Sequence, residues 1–197
     1  MEQLSRGLLS GPCRYPEKVI QFGEGNFLRG FADWIIWNMN QKAGFNGSVV
    51  VVQPIAKGMV DVLNSQDGLY HLNLQGIDKG QPVDSVQLID VISRGINPYE
   101  DFGAFMKLSE QPEVRFVISN TTEAGIAFDP SCRLDDCPAA SYPGKLVQLL
   151  YHRYECFGGA ADKGLIVFPC ELIFENGKHL KECIRQYIRH WNLGEGF

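Results

Sequence analysis

What this chain of 197 residues lacks narrows its function before any motif is read. No stretch approaches the ~20 consecutive apolar residues of a membrane helix, and the longest apolar runs are short, Val49-Val50-Val51-Val52 among them. The opening Met1-Glu2-Gln3-Leu4-Ser5-Arg6 has no apolar segment of the secretory kind, so a cytoplasmic location is expected. No run of basic residues occurs, and 18 Lys and Arg against 23 Asp and Glu leave a net charge of -5. Neither nucleic acid nor an anionic membrane is an expected partner. The six cysteines, at 13, 132, 137, 156, 170 and 183, include no CxxC, and the closest pair, Cys132 and Cys137, brackets four residues. No metal site is expected from that pattern, and reduced, unlinked thiols suit a cytosolic protein. His71, His152, His179 and His190 show no ligand spacing, and His152 and His179 read as surface or boundary residues of helices.

Apolar residues at 45% and charged residues at 21% are the mix of a globular rather than a disordered protein, and the length suits one ordinary domain or at most two small ones. Short β-branched runs alternate with amphipathic stretches, which predicts an α/β fold with a doubly wound, mostly parallel sheet of the Rossmann type. Lys18 to Phe22 reads as a first strand. Phe27, Phe31, Trp34, Ile35 and Met39 then share one helical stripe, with Trp34 and Trp37 as core or helix-packing residues, and Val49 to Val52 is a strand buried on both faces. Leu69 to Leu74 and Val83 to Ile92 alternate around Asp78-Lys79-Gly80, which predicts an inserted β-hairpin. A helix is expected over Pro98 to Ser109, a strand over Val114 to Ile118 and a helix over Lys145 to Phe157. A strand over Leu165 to Phe168 and a helix from Gly177 to Trp191 complete the pattern.

The clearest local signal is Gly23-Glu24-Gly25 between the first strand and its helix. Glycines there let the backbone approach a pyrophosphate, and the helix N-terminus offers free N–H groups to the anion. Leu28 stands where a third glycine is usual. The position that would read the adenosine ribose, at the end of the second strand, is Gln53 rather than an acid. A glutamine bonds a hydroxyl but repels no 2′-phosphate, so residue chemistry leaves NAD and NADP both open. Two further strand ends are polar. Asn120-Thr121-Thr122-Glu123 suits either a nicotinamide ribose or a helix cap. Pro169-Cys170-Glu171, followed by Asn176-Gly177, is either a turn or a carboxylate placed to position substrate or a proton.

The run Phe22-Gly23-Glu24-Gly25-Asn26-Phe27-Leu28-Arg29-Gly30 resembles the GxGxFxR turn of the mannitol dehydrogenase family, the polyol-specific long-chain dehydrogenases. Thr121-Thr122-Glu123-Ala124-Gly125, Pro169-Cys170-Glu171-Leu172 and Asn176-Gly177 are similar to its later landmarks, as is Gln66-Asp67-Gly68-Leu69-Tyr70. Ala124, Glu171 and Leu172 depart from the polyol members, and Val51-Val52-Gln53-Pro54-Ile55 resembles the hexuronate-reducing branch. The resemblance implies an NAD-dependent oxidoreductase acting on a small sugar acid. It assigns Gly23, Gly25, Asn26, Phe27 and Leu28 to the pyrophosphate, Gln53 to the adenosine ribose, and Thr121, Glu123 and Asn176 to the nicotinamide side. It also implies a helical C-terminal domain bearing a Lys-x4-Asn-x2-His cluster. No such cluster occurs in residues 1–197, so the chain is expected to be one dinucleotide-binding domain of a longer protein, with no catalytic residue of its own. A mannonate- or mannitol-forming relative, a non-catalytic NAD(H) sensor and a scaffold with a decayed turn are the rival expectations.

Overall fold

The first strand, β1 (Glu17–Phe22), is buried along its last four residues and pairs in parallel with strands on both sides. A computed structural model describes residues 4–9 and 15–197; Cys13 lies outside them. The main sheet has five parallel strands in the order β5-β2-β1-β6-β7, with β2 (Ser48–Val52), β5 (Ile92–Ile96), β6 (Phe116–Ser119) and β7 (Ile166–Pro169). β2 reads Ser-Val-Val-Val-Val and every residue is buried, as a strand covered on both faces requires. Because β2 and β6 leave β1 in opposite directions, a crevice opens beyond the carboxyl ends of β1 and β6.

One face of the sheet packs Ile20, Phe22, Val50 and Val117 against α3 (Phe102–Met106), α4 (Tyr142–Cys156) and α5 (Asn176–His190). The other packs Val19, Val49 and Val51 against α1 (Asp33–Ala43), α2 (Val60–Ser65) and a separate hairpin, β3 (Tyr70–Asp78) with β4 (Gln81–Ile89). Lys79 and Gly80 turn the hairpin with φ of 49° and 79°, the paired positive values of a turn that matches strand twist. Among the described residues no helix is long and apolar enough to cross a membrane. Cys132, Cys137, Cys156, Cys170 and Cys183 are free thiols.

Several elements differ from the sequence expectation, each for a physical reason. Ile92–Ile96 is a parallel strand of its own, beyond the Val83 to Ile92 stretch expected for the hairpin. Gly95 sits inside it because a Cβ there would lie 2.9 Å from Val60 of α2. Helix α3 starts after Pro98, where the Asp101 carboxylate accepts from the Ala104 amide at 2.8 Å. The stripe on the first helix is displaced as well. Phe27 and Phe31 are 44% and 53% exposed, and the buried residues are Leu28, Asp33 and Ile36. The cause is a π-helical stretch, Leu28–Ala32, in which the Asp33 amide donates to the carbonyl of Leu28 five residues back. The extra residue in that turn rotates everything after it relative to a 3.6-residue repeat.

Candidate functional site

Gly23 leaves β1 with φ of +115°, and its amide donates to Val52 O at 3.0 Å. A Cβ on Gly23 would lie 3.0 Å from both Asn120 O and Leu28 Cδ1, so both conformation and space demand glycine. Leu28, fully buried, fills the volume under the turn, which explains a leucine at the third-glycine position. Gly25 differs. Nothing lies within 4 Å of a Cβ placed there, and its surface faces the crevice. The helix begins at residue 26, and its first bond runs from Arg29 N to Gly25 O at 3.1 Å. The amides of Asn26, Phe27 and Leu28 therefore have no partner in their own helix, the usual arrangement for receiving an anion. Arg29 holds the turn in shape, donating from Nε to Glu24 O and from Nη2 to Asn26 Oδ1, both at 2.9 Å.

Gly23→Ala is expected to destabilise the fold by ~1–3 kcal/mol, through left-handed strain and the contact with Asn120 O. A urea melt checks this; an unchanged midpoint would refute the account of the turn.

The crevice is a cleft of about 550 Å³ lined by Gly23, Glu24 and Gly25 after β1, Pro54, Ile55 and Met59 after β2, and Asn120, Thr121 and Thr122 after β6. Ser141 and Tyr142 at the start of α4 close it, and Ala124 and Gly125 extend its β6 side. The Tyr142 phenol is buried, and burial pushes its pKa well above the usual range, with the nearby Ser119 hydroxyl opposing in part.

The β6 side is built around Glu171, a buried carboxylate. Its Oε1 accepts from the Thr121 amide at 2.9 Å and the Thr121 hydroxyl at 3.2 Å. Its Oε2 accepts from Ser119 Oγ at 3.2 Å and Asn176 Nδ2 at 3.0 Å. This set of donors ties the ends of β6 and β7 to the start of α5, and Asn120 Nδ2 adds a bond to Cys170 O at 2.8 Å. Glu171 therefore acts as a brace for the cleft wall.

Of the residues expected at the site, Gly23, Gly25 and Thr121 line the cleft. Asn26 and Leu28 bring backbone amides to its rim, whereas the Phe27 side chain turns into an apolar groove behind it. Gln53 is buried with both ends engaged, Nε2 donating to Ile55 O at 2.9 Å and Oε1 accepting from the Val60 amide at 3.3 Å. Glu123 opens a 3-10 turn, Glu123–Gly125, and its side chain lies outside the described structure. Asn176 stands behind Glu171, with Oδ1 buried and unpartnered among the described residues. Sequence reasoning passed over Glu24. One of its carboxylate oxygens accepts from the Met59 amide at 3.0 Å; the other is buried beside the cleft and has no partner among the described residues. Its place between the two glycines was the available signal.

A glycine turn and helix N-terminus at the switch point of a parallel, doubly wound sheet define a Rossmann-type nucleotide-binding domain. The chain belongs to the mannitol dehydrogenase family, whose Rossmann domain matches residues 17–193. It is 73% identical over 182 residues to an altronate oxidoreductase of Phocaeicola vulgatus, covering 92% of this chain and 38% of that protein. It is 49% identical over 197 residues to an altronate oxidoreductase of Bacillus subtilis, covering 100% of this chain and 41% of the relative. The chain thus spans about two fifths of these relatives. Among solved structures, D-sorbitol dehydrogenase in substrate-free form matches at a TM-score of 0.73 and 19% identity, over 95% of this chain and 43% of that one. The ternary complex of Pseudomonas fluorescens mannitol 2-dehydrogenase with NAD and D-mannitol matches at 0.70 and 19% identity, over 90% and 38%.

Proposed function

We propose that this chain is the cofactor-binding part of an NAD-dependent oxidoreductase that interconverts tagaturonate and altronate. The observation that carries the reading is its 73% identity to an altronate oxidoreductase, joined to a glycine turn that leaves the crevice open at Gly25. When bound, the dinucleotide supplies or receives the hydride. In this reading the chain's residues bind and orient it. Gly25 and the amides of Asn26, Phe27 and Leu28 take the pyrophosphate, and Thr121, held by Glu171, faces the nicotinamide side. Glu123 and Asn176 belong to that side too, Asn176 through its bond to Glu171. Gln53 serves the adenosine end by anchoring the Ile55 to Val60 loop.

The fit of the cofactor rests on two features: unhindered space at Gly25 and a buried carboxylate oxygen on Glu24 that lacks a donor. Ribose hydroxyls are donors, and a 2′-phosphate would be repelled. Glu24 thus supplies the charge absent at Gln53, and the reading selects NAD over NADP.

Substrate contacts and the groups that handle the substrate proton are assigned to a second domain, in the part of the relatives that this chain does not span. An open apolar groove of about 420 Å³ behind the cofactor turn, lined by Phe27, Phe31, Ile35, Met39, Ile118 and Phe168, supports that assignment. Apolar surface of this kind is normally covered.

Fluorescence titration with NADH and with NADPH tests the reading. Saturable NADH binding with weaker NADPH binding is expected, and no binding of either would defeat it. Glu24→Gln is expected to narrow the preference for NADH roughly tenfold, as loss of a charged hydrogen bond implies. An unchanged ratio would remove Glu24 from that role. Turnover of tagaturonate by the longer protein tests the substrate.

A further inference from the structure

A second cluster lies far from the cleft. Tyr142 opens α4 at the cleft and Cys156 closes the helix 14 residues on, ~20 Å away at 1.5 Å per residue. There the last turn of α4 meets the 3-10 turn Lys107–Glu110, which precedes β6. Glu110, His152 and Cys156 each offer a ligand atom, and these atoms all lie within 4.8 Å of one another. The Cys156 sulfur lies off the edge of the His152 ring, 3.7 Å from Nδ1 and 3.9 Å from Nε2. Tetrahedral zinc, with Zn–N near 2.0 Å and Zn–S near 2.3 Å, places such a pair about 3.6 Å apart. His152 and Cys156 are four apart on one helix, so the pair carries a ligand spacing that an inventory of histidines alone overlooks.

The surroundings hold these donors in position. The Ser109 hydroxyl has one proton and two neighbours, Met106 O at 2.6 Å and His152 Nδ1 at 2.5 Å. A carbonyl only accepts, so the hydroxyl proton goes to Met106 and the ring contact is made by Nδ1–H donating to Ser109. That tautomer leaves Nε2 with its lone pair free, the arrangement found when a second partner orients a metal-binding histidine. The loop that carries Glu110 is pinned to α4 by buried Arg153. Its guanidinium donates to Ser109 O and Gln111 O at 2.9 Å and to Val114 O at 3.0 Å.

We propose that Glu110, His152 and Cys156 form a binding site for a divalent cation of borderline softness, Zn²⁺ by its mixed O, N and S donors, with water completing the coordination. The bound ion clips the 3-10 turn before β6 to the end of α4. The site is independent of the dinucleotide cleft.

Cobalt(II) is the probe, because a thiolate ligand gives it a charge-transfer band and tetrahedral geometry gives it strong visible absorption. One equivalent is expected to produce both, and Zn²⁺ is expected to displace it. Cys156→Ser should abolish the band. His152→Asn and Glu110→Gln should each weaken binding by at least ~10-fold, and Ser109→Ala by ~10-fold through the misdirected ring. Near-ultraviolet circular dichroism and an unchanged NADH titration show that each variant is folded. Absence of the thiolate band in the parent chain overturns the proposal. So does a band that survives Cys156→Ser, which would belong to another thiol, or cobalt affinity indifferent to Glu110→Gln.

Discussion

Gly25→Val is expected to weaken NADH binding by more than ~100-fold, a loss of about 2.7 kcal/mol or more, while leaving the fold intact. The two halves of that expectation have separate causes. Stability should hold because no atom lies within 4 Å of a Cβ at this position and its backbone lies outside the positive-φ glycines. Substitutions of that kind usually stay within about 0.5 kcal/mol, a shift of ~1–2 °C in a domain of this size. Binding should fail because the valine methyl groups would occupy the space through which a pyrophosphate reaches the amides of Asn26, Phe27 and Leu28. Gly23, two residues earlier, makes the opposite case, since its replacement strains the protein itself. Comparing the two by melting and by NADH titration separates a glycine kept for ligand access from one kept for the chain. Unchanged NADH affinity in Gly25→Val would sink the assignment of the turn.

Much of this architecture is legible in the sequence because its signals are local. Val49 to Val52 reads as a buried parallel strand without reference to any neighbour, and Lys79-Gly80 announces the hairpin turn. What escaped depends on contacts between distant segments. Gly95 looks like punctuation until Val60 packs onto it, and only then does Ile92–Ile96 become a strand. The stripe from Phe27 to Met39 is regular in sequence, yet the π-turn at Leu28–Ala32 throws it to the outside and brings Asp33 in. In the site the glycines stand out by their place between strand and helix, and Thr121 by its place at a strand end; all three line the cleft. The roles of Glu24, Gln53 and Glu171 were hidden, because each is defined by a partner that sequence does not place beside it: the loop after β2 for the first two, the end of β6 for the third. Likewise, Glu110 meets His152 and Cys156 only because Arg153 anchors the intervening loop to α4.

Asp33 is the residue that the π-turn carries inward, and it makes stability depend on pH. It is fully buried, and burial raises its pKa from an ordinary 3.8 to about 7; the Gln21 amide, the Tyr70 hydroxyl and the charge of Arg29 oppose that shift only in part. Tyr70 Oη lies 3.3 Å from Asp33 Oδ2 and donates to Arg29 O at 2.7 Å. Asp33 Oδ1 has no hydrogen-bond partner among the described residues, so the charged carboxylate is incompletely compensated there. Between about pH 4 and pH 7 the folded chain keeps a proton that the unfolded chain has released. Stability from this group is therefore complete below about pH 4 and is lost as pH rises to about 7, a decline of roughly 2–4 kcal/mol. Asp33→Asn supplies a permanent amide donor and no charge, so it should stabilise the protein by a similar amount at pH 8 and by little at pH 4. Urea midpoints across that range read the difference directly. Parallel pH profiles for the two proteins would show that Asp33 carries no such proton. Converging profiles at low pH would place it there, one hydrogen bond behind the cofactor turn, where Gln21 Nε2 donates to Gly23 O at 3.2 Å.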